Sequence, residues 1–293
     1  MRQSVVWGLC LLLTVSVAEA QPPKNLQRDQ LVAWCIVPFD SQQRTPEQRA
    51  EMLVRLGLKR VAYDWRPQHV AEFETEIEQY RQHGLEYFAF WGEHERAFEL
   101  FEKHCLHPQV WKMLPAPAGE TDAEKTAQSV EQLLSLVDRT RQLKCQLGLY
   151  NHGGWQGEPD NLVAICRALR KHHNAEHVGI VYNLHHGHGH LNDFAESLEK
   201  MQPYLLCFNL NGMNLGGDAQ GDKILPLGAG SEDLRLLQTI VESGYTGPIG
   251  VIGHTQDDVE QRLQDNLDGL DWLLPQLADH PAGPKPKYRT WAK

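Results

Sequence analysis

The sequence has little of what marks a membrane-spanning or nucleic-acid-binding protein. After residue 20, no apolar run approaches the roughly 20 residues that a membrane-spanning helix needs. Basic residues are also in deficit, because 28 Lys and Arg stand against 38 Asp and Glu, a formal net charge of −10. Binding to nucleic-acid phosphates depends on clustered positive charge. We therefore expect no membrane span after residue 20 and no nucleic-acid partner.

The sequence also lacks paired cysteine motifs and an early Gly-rich turn. Six cysteines include no CxxC spacing, and an odd number, five, follow residue 20. Cys35, Cys145 and Cys207 lie in or beside apolar runs, which favours buried thiols, although a disulfide such as Cys105 with Cys145 stays open. Residues 38–41, after the first apolar run, are not Gly-rich. Their composition disfavours an open, doubly wound dinucleotide-binding sheet, the alternative fold.

The N-terminus has the layout of a secretory signal peptide. Arg2 gives a positive start, residues 5–17 are almost continuously apolar, and Ala18-Glu19-Ala20 is a small-x-small cleavage pattern. We predict a signal peptide over 1–20 with cleavage near Ala20–Gln21, and a periplasmic or secreted protein. An uncleaved N-terminal anchor is the alternative.

Short apolar runs alternate eight times with amphipathic stretches. The runs suit parallel strands that are covered on both faces, and 3.6-residue apolar periodicity indicates the helices. Eight strand–helix pairs in one chain predict an α/β fold, a single (β/α)8 barrel. The predicted strands are 31–37, 60–64, 87–91, 110–114, 146–150, 178–182, 204–210 and 249–252. The predicted helices are 46–56, 70–83, 95–103, 122–143, 161–173, 191–201, 231–243 and 257–277.

This pattern divides the chain into four parts. A lead-in over 21–29 follows the signal peptide, and the barrel occupies 30–278. Residues 279–293 contain three prolines and a basic run that ends at Lys293. We predict that this Pro-rich basic tail is a flexible, loosely held extension.

Catalytic side chains of such barrels project from the carboxyl ends of the strands. Three carboxylates follow predicted strands and are candidate general bases: Asp64, Glu93 and Glu158. Amides that both donate and accept hydrogen bonds, together with indoles that can stack on a sugar ring, indicate a polyhydroxyl ligand. The candidate sugar-binding residues are Trp65, Trp91, Asn151, Trp155, Asn183, Asn209 and Asn211.

Histidines are concentrated in the loops of the second half of the barrel. Imidazole binds divalent transition metals well, and three convergent histidines would leave an open catalytic position. The candidate ligands are His152, His185, His186, His188 and His254. The alternatives are neutral loop histidines, or an adventitious metal-binding tract over 185–190.

Several motifs resemble those of the xylose isomerase-like barrels, the sugar phosphate isomerase/epimerase superfamily that also includes endonuclease IV-type enzymes. The resemblance covers residues 30 to 277. The motifs are LYNHGG at 149–154, GIVYN at 179–183, LPLGAG at 225–230, GYTGPIG at 244–250 and NLDGL at 266–270. The resemblance implies the barrel fold and a sugar-like substrate.

The chain departs from that family where the resemblance implies a divalent metal. Family members bind it through Glu, Asp, His and Glu at the ends of strands five to eight. Tyr150, Asn183 and Asn209 stand at the first three positions here, and residues 250–254 contain no Glu. Either metal binding has moved to the histidines, which favours zinc, cobalt, nickel or manganese over magnesium, or the protein works without metal.

The function predicted from the sequence is an exported, sugar-active enzyme of the isomerase or epimerase kind. Its reaction would begin with proton abstraction next to a carbonyl of an unphosphorylated carbohydrate or an oxidised glycoside. A glycoside lyase or hydrolase on the same barrel is an alternative. A non-catalytic carbohydrate-binding barrel that has lost its metal site is another.

Overall fold

The computed structural model describes residues 22–292, which form eight strands and eight α-helices in strict alternation. The predicted signal peptide and its cleavage site lie outside these residues. The strands are β1 (Val32–Trp34), β2 (Arg60–Tyr63), β3 (Glu86–Trp91), β4 (Gln109–Met113), β5 (Leu147–Tyr150), β6 (Val178–Asn183), β7 (Leu205–Leu210) and β8 (Ile249–Ile252). The helices are α1 (Pro46–Leu56), α2 (Phe73–Gln82), α3 (Glu95–His104), α4 (Asp122–Gln142), α5 (Pro159–His173), α6 (Phe194–Met201), α7 (Asp233–Glu242) and α8 (Val259–Leu273).

The strands close into one parallel barrel in sequence order, and β8 pairs with β1 through Val32 opposite Gly250. Closure excludes the open doubly wound sheet and confirms the predicted (β/α)8 barrel. Because all strands run in the same direction, their carboxyl ends meet at one face of the barrel. The loops that follow those ends are therefore neighbours in space.

Helix boundaries follow capping chemistry. α1 begins after Thr45, whose side chain accepts from the Gln48 backbone N–H while Gln48 Oε1 accepts from the Thr45 N–H. Pro46 occupies the first helical position, and the helix ends at Gly57 in the left-handed conformation. α2 differs from its prediction, because Pro67–Glu72 forms a 3-10 turn before the α-helix begins at Phe73.

Large aromatic side chains fill the barrel interior. Trp34 from β1 and Trp111 from β4 lie with ring centroids 4.1 Å apart, and both are fully buried. Two strand glycines make room for them. A Cβ on Gly250 would lie 2.7 Å from Trp34 Cε3, and one on Gly148 would lie 2.9 Å from Trp111 Cδ1. These rings block the barrel axis below the site, so any ligand must enter from the loops above it.

The lead-in lies against the amino-terminal end of the barrel. It forms two short 3-10 turns, Lys24–Leu26 and Arg28–Gln30, and buries Leu26. The Asn25 side chain donates to the carbonyl oxygens of Tyr245 and Gly247, at 3.1 Å each. These contacts hold the segment beside the start of β8.

The C-terminal tail is held against α8, which corrects the prediction of a loose extension over 279–293. Asp265, fully buried on α8, accepts hydrogen bonds from the backbone N–H groups of Arg289 and Thr290 and from Thr290 Oγ1. The Tyr288 hydroxyl donates to the carbonyl oxygen of Leu227, 2.8 Å away. The composition of the tail predicts a flexible, loosely held extension and could not reveal this contact, because the buried acceptor on α8 is 24 residues away in sequence.

Two further expectations concern the described residues. All five cysteines that follow residue 20 are free thiols there, and four of them are buried, which settles the open question of a disulfide. In residues 22–292 no helix has the length and apolar character to cross a bilayer.

Candidate active site at the carboxyl ends of the strands

A cavity of about 180 Å³ lies at the carboxyl ends of the strands. Its lining combines groups that can move protons with apolar and aromatic surface. The lining residues are Cys35, Phe39, Asp64, Arg66, Trp91, Met113, Tyr150, His152, His185, His186 and His254. Six of these, Asp64, Trp91, His152, His185, His186 and His254, were predicted site residues. The other five were not predicted, although each of them ends a strand or follows one closely.

Asp64 is the carboxylate of this cavity. It follows β2 and is 2% exposed. Its Oδ1 accepts from the backbone N–H groups of Ile36 and Val37 at 3.1 and 3.2 Å, whereas its Oδ2 has no hydrogen-bond partner among the described residues. Burial raises the pKa of Asp64 to about 6, against the opposing effect of the backbone donors and of Arg66. A carboxyl group that ionises near neutral pH suits general acid–base work.

Four histidines of the cavity are in ring contact. The ring centroids of His185 and His186 are 3.7 Å apart, and those of His152 and His186 are 4.6 Å apart. His254 reaches the group from the loop after β8, with its centroid 5.6 Å from that of His185. Loops after β5, β6 and β8 therefore meet, as their positions in the sequence predicted.

Burial keeps the inner imidazoles neutral. It lowers the pKa of His186 to about 3 and that of His254 to about 4, helped by the neighbouring His152 and, for His254, by Arg66. Burial also lowers the pKa of His185 well below its usual value. Neutral rings can donate one hydrogen bond and accept another. His185 Nδ1 is buried and has no partner among the described residues.

Arg66 brings the positive charge of this cavity. Its guanidinium lies 5.3 Å from the centroid of the Phe39 ring, and that ring in turn lies 3.6 Å from the His254 ring. The guanidinium donates to the Trp65 carbonyl oxygen, and in residues 22–292 no carboxylate lies within ion-pair distance of it, although its charge acts on Asp64. An unpaired guanidinium beside Asp64 can stabilise negative charge that develops on a ligand.

Cys35 also lines the cavity, in a left-handed backbone conformation with φ of 55°. Burial, together with the nearby Asp64 charge, raises the pKa of its thiol well above the usual value. The group is therefore a neutral thiol rather than a nucleophilic thiolate.

The predicted sugar-binding asparagines bond mainly to one another, and none of them lines the cavity. Asn183 Nδ2 donates to the Tyr150 hydroxyl at 2.7 Å, and Asn209 Nδ2 donates to Asn183 Oδ1 at 2.9 Å. Asn151 Oδ1 accepts from the Asn183 backbone N–H, and Asn211 Nδ2 donates to the Gly212 carbonyl oxygen. Their amides brace the strand ends beneath the cavity.

Two of the three predicted bases lie on the outside of the barrel mouth. Glu93 forms an ion pair with Lys112, and its side chain is half exposed. Glu158 lies 2.7 Å from His190 and is equally exposed. Neither residue lines the cavity. Among the three candidates, the structure therefore brings only Asp64 into the cavity with His152, His185, His186 and His254.

Of the predicted tryptophans, only Trp91 lines the cavity. The Trp65 indole donates to the Trp91 carbonyl oxygen and lies stacked 5.9 Å from the Phe90 ring, so it supports the wall from behind. The Trp155 indole donates to Asp122 at the start of α4 and ties two loops together.

The residues at the position where the resemblance implies a metal do not fit a divalent cation. Tyr150, Asn183 and Asn209 are uncharged and joined by hydrogen bonds, and Trp34 occupies the space beside Gly250. Asn209 Oδ1 has no partner among the described residues, but one neutral amide oxygen does not make a cation site. Of the predicted histidine set, His152, His185, His186 and His254 lie in ring contact. Across residues 22–292, no three His, Cys, Asp or Glu side chains are arranged to hold one metal ion.

A larger cavity, of about 580 Å³, lies at the opposite end of the barrel, between the lead-in and the start of β8. Its described lining contains no carboxylate, imidazole or thiol, and its Arg60 is paired with Glu86. The cavity at the carboxyl ends, with its convergent ionisable groups, is therefore the candidate active site.

Solved structures with the same architecture support the fold assignment. The chain is similar to the 3-keto-D-glucoside 4-epimerase YcjR from E. coli, with 14% identity and a TM-score of 0.61 over 83% of this chain and 98% of that one. It is also similar to the IolI protein with a binding zinc atom, with 12% identity and a TM-score of 0.66 over 84% and 99% of the two chains.

A third similar structure is a xylose isomerase-like TIM barrel protein from Mycobacterium smegmatis in complex with magnesium. It has 17% identity and a TM-score of 0.55 over 85% of this chain and 96% of that one. The fold is thus that of the xylose isomerase-like (β/α)8 barrels, as the sequence motifs implied. By sequence, the chain matches no protein-family model and no curated protein.

Proposed function

We propose that this protein is a sugar-active enzyme of the isomerase or epimerase kind, which removes a proton from the carbon next to a carbonyl of an unphosphorylated carbohydrate. The observation that carries the proposal is Asp64, a buried carboxyl group with an unpartnered oxygen and a pKa near 6 in a histidine-lined cavity. As the carboxylate, Asp64 takes the proton. The C–H electron pair then forms the C=C bond of an enediolate, and the carbonyl π pair moves onto its oxygen. Return of a proton to the same carbon on the opposite face gives the epimer. Return to the former carbonyl carbon, together with transfer of the neighbouring hydroxyl proton to the enediolate oxygen, gives the isomer.

The neighbouring groups supply what the intermediate needs. Negative charge develops on the carbonyl oxygen, where neutral imidazole N–H groups and the Arg66 guanidinium can act as donors. His254, whose pKa is near 4, stays neutral at physiological pH and keeps a donor available. Trp91 and Phe39 offer apolar surface for the faces of a sugar ring.

No step of this reaction is routed through a metal. Two of the similar structures carry zinc or magnesium, so divalent metals occur on this fold. In this chain the donor set at the family position is uncharged and internally bonded. The charged groups at hand for the reaction are therefore Asp64 and Arg66.

An unphosphorylated substrate agrees with the charges around the site. Lys223, which lies beside the cavity histidines, forms an ion pair with Asp218 at 3.1 Å, so Arg66 is the single unpaired cation of the described lining and no cluster of basic residues stands ready for a phosphate. We also propose export, which rests on the signal-peptide pattern over 1–20 alone. N-terminal sequencing of protein from outside the cytoplasm should return a start near Gln21. A start at Met1 would establish the uncleaved anchor, and recovery of the protein from the cytoplasm alone would contradict export.

The direct test is incorporation of deuterium from D2O, followed by proton NMR. The panel should contain aldoses, ketoses and a 3-keto-glucoside, the substrate class named for one similar structure. We expect the signal of a hydrogen next to the carbonyl to disappear with at least one sugar. Eliminated product would identify the lyase alternative, which begins with the same proton transfer. Sugar binding without exchange would contradict the proposal in favour of the carbohydrate-binding barrel.

A further inference from the structure

A second cavity of about 540 Å³, called the outer cavity here, adjoins the inner cavity that contains Asp64. The two share His152, His185, His186 and His254 in their linings. The inner cavity, at about 180 Å³, is below the roughly 300–1,000 Å³ of sites for drug-sized ligands, so it has room for one small ring. A substituent on that ring cannot extend down the barrel, because Trp34 and Trp111 fill its interior, whereas the outer cavity lies directly beside the ring.

The lining of the outer cavity includes polar side chains, and one of them, His188, has a ring nitrogen without a hydrogen-bond partner among the described residues. His188 Nε2 lies 2.9 Å from the carbonyl oxygen of Lys223. Since a carbonyl only accepts, Nε2 of the neutral ring carries the proton, and Nδ1 is left as an acceptor. His188 Nδ1 is buried and has no partner among the described residues. A ligand hydroxyl is the group that would satisfy it.

The remaining lining also suits a hydroxyl-bearing ligand. The Lys223–Asp218 ion pair offers both donors and acceptors, and Gly153 and Gly189 border the cavity without side chains.

We propose that the outer cavity is a subsite for a second sugar unit, so that the substrate is a glycoside whose reacting ring occupies the inner cavity. This inference rests on the proposed function for the identity of the reacting ring. It adds the substrate class, because a free monosaccharide would leave the outer cavity and the His188 acceptor unused.

Gly189 allows a clean test of the subsite. It borders the outer cavity only, and a Cβ built on it meets no atom within 4 Å. Gly189→Phe should therefore narrow the outer cavity without disturbing the fold, and Gly189→Ala is the matched control. His188→Leu removes the acceptor while it keeps side-chain bulk.

Binding is measured by calorimetry for common monosaccharides and for their α- and β-linked disaccharides. In the wild type we expect at least one disaccharide to bind about tenfold or more tightly than its component monosaccharide, which corresponds to about 1.4 kcal/mol. Gly189→Phe and His188→Leu should bring the ratio of the two affinities close to one, and Gly189→Ala should preserve it.

The outcomes separate this inference from the proposed function. Equal affinities for monosaccharides and disaccharides, or a ratio that Gly189→Phe leaves unchanged, overturn the subsite even if deuterium exchange occurs. A disaccharide preference that Gly189→Phe removes supports the subsite. If that preference occurs without any deuterium exchange, the proposed function fails while the second-sugar subsite stands.

Discussion

Asp64 is the residue whose replacement should matter most. Asp64→Asn keeps the size and removes the base, so we expect proton exchange to fall by about 10²–10⁴-fold, the usual contribution of general base catalysis. Glu93→Gln and Glu158→Gln are matched controls, because both side chains lie outside the cavity in exposed pairs with Lys112 and His190. Loss of exchange in either control, with retention in Asp64→Asn, would show that the base is assigned wrongly.

His186 should make stability depend on pH. Its pKa is about 3 in the folded protein, mainly because of burial, and about 6.5 in the unfolded chain. Below pH 6.5 the unfolded chain therefore gains a proton that the folded ring does not, and stability is lost as the pH falls. One pKa unit corresponds to about 1.4 kcal/mol, so the expected loss from this residue at pH 5 is up to about 2 kcal/mol.

Urea unfolding at pH 7 and pH 5 isolates this contribution. The quantity to compare is the free energy of unfolding of His186→Gln minus that of the wild type. This difference should be larger at pH 5 than at pH 7, because only the wild type loses stability through His186. Burial also raises the pKa values of Asp64 and Asp233, to about 6 and about 7, which stabilises the fold as the pH falls, but both residues are present in both proteins. His172→Gln, an exposed position on α5, controls for the loss of an imidazole. If His186→Gln differs from the wild type by the same free energy at both pH values, burial does not hold the pKa of His186 near 3.

At the scale of elements, the tail and α8 should behave as one unit. Asp265→Ala leaves the N–H groups of Arg289 and Thr290 and the Thr290 hydroxyl without their acceptor. We expect a loss of about 2–3 kcal/mol in the free energy of unfolding. Asp268→Ala, which removes a partly exposed partner of Arg289, should cost under about 1 kcal/mol. Similar losses for the two variants would mean that the tail is not held through Asp265.

The strand ends lead to a prediction about metal. Because Tyr150, Asn183 and Asn209 bond to one another and the histidine rings do not converge, protein purified without a histidine tag should carry no stoichiometric metal. Proton exchange should also survive treatment with a chelator. One molar equivalent of zinc, cobalt, nickel or manganese, lost together with activity in His254→Ala, would instead establish the histidine site predicted from the sequence.

Element boundaries were predictable where local chemistry decides them. The capping box at Thr45 and the left-handed Gly57 fix both ends of α1, and its predicted range agrees with the structure. The start of α2 was not predictable from periodicity. The 3-10 turn that begins at Pro67 continues the apolar spacing of the helix that follows, so the pattern does not mark where the α-helix begins. The tail was mispredicted because its anchor on α8 is a tertiary contact.

For the whole molecule, eight alternations of strand and helix were enough to predict the barrel, and the candidate site lies at the face where that fold places catalytic side chains. The choice among site residues was not predictable, because it depends on which side chains find partners of their own. Glu158 pairs with His190 and Asn183 with Tyr150, whereas Asp64 keeps one oxygen without a partner among the described residues. Sequence position places all three in or after the carboxyl ends of strands and cannot distinguish them.

The pH dependence of deuterium exchange, measured on the best substrate of the panel, tests the central claim most directly. If Asp64 is the base, the exchange rate should rise through a single ionisation near pH 6, since only the carboxylate accepts the proton and burial raises its pKa to about 6. The residual exchange rate of Asp64→Asn should show no ionisation near pH 6. An exchange rate that is flat between pH 5 and 8, or an ionisation near pH 6 that persists in Asp64→Asn, would contradict the account.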